Sequence, residues 1–290
     1  MGGWTLVHKE EVDGVSRPGA AGDCFKNGLV HMLCYYLGTK DIDIQTKTTR
    51  QSIINLLTEY SKSLGETKAL NILWDVFCTI SGNILNGIND QTRLAELIDA
   101  FVKSPETKDK IPWAEATLRL YNIMWLGLPT NSRISPNISA TDYQQWVNQN
   151  VFWAQLNTLT KGWVSVICYF VMYDTFMNTR VHDYMTLNFK IPGAAQWILY
   201  NGEIILGTIL FSTNEEKNVL FGALAPWTMQ TWDHWKKGFK GASRNQNLLP
   251  GARELSKRAS DEMILLEEEY HLIIARQVDG EKTFLVSEQT

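Results

Sequence analysis

Apolar residues recur every three or four positions in segment after segment of this chain, and strict two-residue alternation is nearly absent. Three-to-four spacing puts one apolar stripe on a helix, whereas alternation is what a half-buried strand needs. The pattern therefore excludes sheet architectures and predicts an all-α fold. It is carried by Val30, Leu33, Cys34 and Leu37 in "CFKNGLVHMLCYYLG", and by Leu70, Leu73, Trp74 and Phe77 in "ETKALNILWDVFCTISGNI". Between these lies "TTRQSIINLLTEYSKSL", also amphipathic. With eleven Trp, eleven Phe and ten Tyr, the core should be rich in aromatic rings, some free to wall a pocket. The expectation is a single large multi-helix domain over residues 24–290, with roughly ten helices, preceded by a flexible polar and Gly-rich segment over 1–23.

Local signals set the expected boundaries. Gly38 suits a helix end. Asp90 is placed to cap "DQTRLAELIDAFVKSP", which closes before Pro105. "IPWAEATLRLYNIMWLGLP" runs between Pro112 and Pro129, and "TNSRISPNISATDY" reads as a loop. A helix should begin near Ser139 or Thr141, and another after Pro192. Pro226 suits the first turn of "PWTMQTWDHWKKGF", and a last helix runs from Pro250.

Charge and motifs exclude several functions. Net charge is −4 with no Lys/Arg run, so no nucleic-acid partner is expected. Cys24, Cys34, Cys78 and Cys168 stand far apart, which predicts reduced thiols and a cytoplasmic protein. "MGGWTLVHKEEVDG" lacks the apolar core of a signal peptide, and no window offers about 20 clean apolar residues, so no membrane span is expected. HExxH, paired CxxC, GxxxxGK[ST], GxGxxG, GxSxG and DDxxD motifs are all missing from the sequence. Neither a metal nor a cofactor is implied.

Polar rows on apolar helices are what remains. In "AAQWILYNGEIIL", Gln196, Tyr200 and Glu203 lie along one helical edge, with Trp197, Asn201 and Ile204 on the next. One row faces water and the other the core, or the first lines a pocket. In "QQWVNQNVFWAQL", Gln145, Asn148, Phe152 and Gln155 share an edge, suited to gripping a carbonyl or to capping neighbouring backbone groups. Asp174 shares an edge with Trp163, Ile167, Phe170 and Met177, and needs either a partner such as Arg180 or Lys190, or a raised pKa. Trp232, Trp235 and Phe239 form an aromatic stripe with His234 and Lys236 beside it, the usual mark of core packing.

Together, "WVNQNVFWAQL", "AAQWILYNGE", "WDHWKKGF" and "ARELSKRASDEM" resemble a fungal family named after oxopyrrolidine biosynthesis cluster protein G, a helical domain of unknown function. The likeness covers roughly residues 70 to 270. Asn148, Asn150, Gln196, Trp197, Tyr200, Trp232, Trp235 and Lys236 fall on its motif positions, and Asp174 stands about where the family has an acidic residue. The resemblance implies an all-helical fungal cytosolic protein, with many members in secondary-metabolite clusters. It implies no catalytic residues, since the family has no agreed mechanism.

Without metal, nucleotide site or nucleophile, a protein can still catalyse by holding an apolar substrate in one conformation and hydrogen-bonding a carbonyl as charge shifts. The expectation is thus a cofactor-independent cyclase or isomerase acting on an apolar small molecule, terpenoid or polyketide. An intramolecular Diels–Alder [4+2] cycloaddition is its sharpest version. Asp174, Tyr200 and Glu203 are the catalytic candidates. Asn148, Phe152, Gln155, Gln196, Trp197, Trp232 and Trp235 are the substrate-binding ones. The alternative is a non-catalytic helical module that carries a ligand or docks a pathway protein.

Overall fold

The computed structural model describes residues 20–39, 42–84, 88–108, 140–160, 165–177, 184–212 and 227–287. Among them are ten helices and no strand: α1 (Ala20–Gly38), α2 (Ile42–Leu64), α3 (Glu66–Asn83), α4 (Ile88–Val102), α5 (Pro105–Lys108), α6 (Ala140–Leu159), α7 (Ser165–Phe176), α8 (Tyr184–Phe211), α9 (Met229–Arg244) and α10 (Pro250–Ser287). The fold is all-α, and one aromatic-rich core runs through it from Phe25 to Leu266.

Helices α1 to α4 pack among themselves, and α7, α9 and α10 gather around α8. Helix α6 joins the two groups, packing on α3 and α4 with one side and on α8 with another. The turn from α2 to α3 is a single residue, Gly65, at φ 83°. That backbone region is open to glycine and costly for side chains with a Cβ. The carboxyl end of α1 is closed by Arg93 of α4, whose guanidinium donates to the carbonyls of Leu37 at 2.9 Å and Tyr36 at 2.7 Å. The same group lies 5.1 Å over the Tyr36 ring, so cation–π attraction adds to the cap.

Several boundaries differ from those the sequence suggests. Helix α1 begins at Ala20, so residues 20–23 of the expected flexible segment are helical; residues 1–19 lie outside the described residues. Helix α4 starts at Ile88, and Asp90 sits in its first turn rather than at its cap. Helix α9 starts at Met229 with Thr228 as N-cap, its side chain accepting from Thr231 N. Pro226, the 112–129 segment and residues 130–139 of the expected loop lie outside the described residues.

The largest difference is α8, which starts at Tyr184 and runs through Pro192. An interior proline removes one backbone hydrogen bond and crowds the carbonyl four residues back, costing about 3 kcal/mol. Burial offsets this: Thr186, Phe189, Lys190 and Ile191, all before the proline, are buried. Complete burial of a large apolar side chain contributes about 1.5–3 kcal/mol. Phe189 also stacks on Trp146 of α6, ring centroids 5.6 Å apart.

Directly after the proline, α8 makes its closest approach to α6. A Cβ on Gly193 would stand 2.5 Å from Trp146 Nε1 and 2.8 Å from Asn150 Nδ2. Gly202 plays the same part toward α10, where Leu266 fills the space. Helix α8 is long and apolar enough to cross a membrane, but its hydrophobicity is used by its neighbours, and most of its turns are buried.

Gly193→Ala should therefore destabilise the protein by about 1–2 kcal/mol, because overpacking outweighs the gain of about 1 kcal/mol in helix propensity. Gly241 lies on the exposed surface of α9, where an added Cβ would meet nothing within 4 Å, so Gly241→Ala should stabilise by up to about 1 kcal/mol. Urea unfolding of the two variants checks the pair; equal shifts of the same sign contradict the close approach.

Candidate functional site

Helix α6 carries amides on two faces, and each face has a structural use. On one, Asn148 Nδ2 donates to the carbonyls of Gly82 and Ile84, both at 3.0 Å. Gln149 donates to the Cys78 carbonyl at 3.1 Å, and Gln145 to Asn83 Oδ1 at 2.8 Å. From α4, Gln91 donates to the Ser81 carbonyl at 2.8 Å. The last carbonyls of a helix have no partner within it, so Asn148 and Gln91, through Gly82 and Ser81, close the carboxyl end of α3, and the other amides hold α6 beside it. Phe152 and Gln155 follow Asn148 along α6. Phe152 is fully buried and packs edge-on against Trp153, while Gln155 is nearly buried, and its Oε1 has no hydrogen-bond partner among the described residues.

The other face meets α8. Trp197 Nε1 donates to Asn150 Oδ1 at 2.8 Å, and Asn150 Nδ2 donates to the Trp146 carbonyl at 2.9 Å. Two turns on along α6, and one along α8, Asn157 Nδ2 donates to Asn201 Oδ1 at 3.1 Å, and Asn201 Nδ2 donates to the Ala154 carbonyl. Thr158 Oγ1 lies 3.1 Å from the Tyr200 carbonyl. Asn150, Asn157, Trp197 and Asn201 are each at most 1% exposed. In such surroundings each side-chain polar group needs its partner, and an orphaned one costs about 1–3 kcal/mol.

The row Gln196–Tyr200–Glu203 does not share one environment. Gln196 is nearly buried, Tyr200 is half-buried and Glu203 is exposed. Burial pushes the Tyr200 phenol upward, and the positive charge of Arg258 partly reverses the shift. The Glu203 carboxylate, proposed for proton transfer, stands in solvent. Its backbone carbonyl accepts from Tyr270 of α10 at 3.3 Å.

Asp174 on α7 pairs with Lys190 on α8, Nζ to Oδ2 2.6 Å, with both side chains at least nine-tenths buried. Lys190 Nζ also lies 3.4 Å from the Asp174 carbonyl. Of the two cations named for Asp174, Lys190 is the partner; Arg180 lies outside the described residues.

Trp232 is fully buried, and its Nε1 donates to Glu267 of α10 at 2.7 Å. Lys236, one turn on, donates to Glu267 Oε2 at 2.6 Å and pairs with Asp233 at 3.1 Å. Burial alone lowers the Lys236 pKa, but its hydrogen bonds to Glu267 and Asp233 outweigh that and raise it. Trp235 is fully buried with Trp227 edge-on at 5.7 Å. His234 Nε2 lies 3.2 Å from the Phe176 carbonyl.

The sequence candidates thus spread over four helix contacts. Asn148 serves α3–α6, Trp197 serves α6–α8, Asp174 serves α7–α8 and Trp232 serves α9–α10. The polar atoms of the substrate-binding candidates Asn148 and Trp232 are engaged by the scaffold. Gln149, Gln91, Asn157 and Glu267 are the members of these contacts that periodicity does not single out. Only the amide content of α6 and the Trp197–Asn201 row hint at them. All four cysteines are free, and burial pushes the thiols of Cys78 and Cys168 upward. Among the described residues no three His, Cys, Asp or Glu side chains gather where they could hold a metal ion.

The family described as protein of unknown function (DUF3632) matches residues 74–239, more than half of the 290 residues, and the chain belongs to it. The match runs from the middle of α3 to near the end of α9 and takes in every candidate residue above. No curated protein and no solved structure matches the chain.

Removing one member of a buried ion pair leaves an uncompensated charge, at a cost of about 3–5 kcal/mol, whereas an apolar replacement of both members is often neutral. Lys190→Met should therefore destabilise by about that amount, and Asp174→Leu with Lys190→Met should return to within about 1 kcal/mol of wild type. Chemical denaturation of wild type, single and double variants measures this. A double variant as unstable as the single one contradicts a purely structural pair.

Proposed function

We propose that this protein is a non-catalytic helical module that acts by docking another macromolecule of its pathway. The observation that supports this reading is the commitment of three of the buried candidate side chains to helix–helix contacts. Asp174 is ion-paired to Lys190, Asn148 closes α3, and Trp197 is bonded to Asn150. General acid–base work needs a group within hydrogen-bond reach of substrate, and these groups already have partners. The fungal setting, the cytoplasmic location and the link to secondary-metabolite pathways belong to the same proposal. They rest on the sequence resemblance.

A second reading keeps the cofactor-independent cyclase or isomerase, with an apolar small-molecule substrate and a [4+2] cycloaddition as its sharpest form. One observation favours it: the Tyr200 phenol, half-buried, feels the charge of Arg258 and lies one turn from Gln196. A phenol that a nearby positive charge makes more acidic is a fair donor to a carbonyl gaining charge, worth roughly 3 kcal/mol in a transition state.

The two readings separate in a host deleted for the gene. A chain carrying Gln196→Leu, Tyr200→Phe and Glu203→Ala, folded by circular dichroism, should restore the wild-type metabolite profile if the protein is a module. A profile that stays at the deletion level, with the variant present at normal abundance, contradicts the module and supports catalysis at Tyr200.

A further inference from the structure

Helix α10 has two opposite faces with different tasks. Ala252, Ser256, Ala259, Met263 and Leu266 are buried against α8 and α9, at the three- and four-residue spacing of a packed seam. On the outer side Glu254, Lys257, Asp261, Ile264, Leu265 and Glu268 are exposed, with Arg258 and Glu269 exposed at its edge, where the Arg258 charge also reaches Tyr200 of α8. Ile264 is 37% exposed and Leu265 54%, an unusual pair to leave in water midway along a charged face. The outer face is also polarised. Its basic pair, Lys257 and Arg258, precedes the aliphatic pair, and its acidic pair, Glu268 and Glu269, follows it.

We propose that this face is an interaction surface for a second copy of the chain, with the two α10 helices antiparallel across a two-fold axis at the level of Met263. In that register Lys257 and Arg258 of each copy stand opposite Glu268 and Glu269 of the other. The basic and acidic pairs are eleven residues apart, about 16 Å along a helix, so both ends of the contact are matched at once. Ile264 and Leu265 of both copies lie within about 3 Å of the axis along the helix, and Asp261 of each copy stands level with Leu265 of the other at the edge of this apolar centre. A two-fold contact uses the same patch twice and must be self-complementary, which this charge order satisfies. A parallel pairing places like charges together and is disfavoured. The occupant is thus set by charge complementarity on a single helix, and the proposal is independent of whether the protein is catalytic.

One helix face makes a contact at or below about 1,200 Å², in the class of weak, exchanging interfaces, and its exposed ion pairs weaken with salt. Sedimentation velocity of the full chain should therefore show a monomer–dimer equilibrium that shifts with concentration and recedes at high salt. Lys257→Glu with Arg258→Glu should be monomeric, as should Glu268→Lys with Glu269→Lys. An equimolar mixture of these two charge-reversed proteins should associate, since every pair across the contact is again opposite. Leu265→Ser, which changes no charge, should weaken the wild-type dimer at least tenfold. A wild type that stays monomeric at every concentration and low salt overturns the proposal. So does a dimer indifferent to charge reversal, or a mixture that fails to associate.

Discussion

Helix α6 must satisfy amide groups on two faces at once, and the rest of the molecule is arranged around that constraint. Its α3 side closes an open helix end through Asn148 and holds α3 alongside through Gln149. Its α8 side holds Asn150 and Asn157 against Trp197 and Asn201, all four buried away from solvent. Apolar contacts alone would let two helices slide, since dispersion and burial have little direction. Paired amides have one register, and a slip by one turn orphans several buried groups at about 1–3 kcal/mol each. The α6–α8 seam thereby sets how the first four helices sit against the last four.

Features that look unfavourable in isolation make sense beside that seam. Pro192 weakens α8 locally, and Gly193 sacrifices helix propensity, yet together they lead into the point where Trp146 and Asn150 come closest. The buried Asp174–Lys190 pair lies in the turns of α8 just before the proline and ties that stretch to α7. A buried pair of this kind contributes little net stability but penalises any arrangement that separates the charges. The paired polar groups of this core serve register.

Much of the fold was legible because helical spacing survives in almost every segment, and Pro250, Gly38 and the Leu70–Phe77 stripe fell where expected. Pro192 misled because a local rule about proline was outweighed by burial of the residues before it, which depends on partners distant in sequence. The candidate site was legible only in part. A polar residue on an apolar helix announces that it needs a partner, and that held for Asn148, Asp174 and Trp232. Spacing cannot tell whether the partner is a substrate or a backbone carbonyl far along the chain, as it is for Asn148 and Gly82. Glu203 shows what a shared edge does not tell: it shares one with Gln196, but that edge passes from the core into solvent over two turns of α8.

The most direct test of the seam is a double-mutant cycle on Asn157 and Asn201, read by urea unfolding. Either Asn→Leu change alone removes the Asn157–Asn201 hydrogen bond and leaves the other amide facing an apolar side chain, while both together replace the pair by apolar groups of similar shape. The account predicts that the double variant is more stable than the sum of the two single losses allows, by about 1 kcal/mol or more. Strict additivity, with each single change costing less than about 0.5 kcal/mol, would contradict the claim that this seam holds the two halves of the molecule in register.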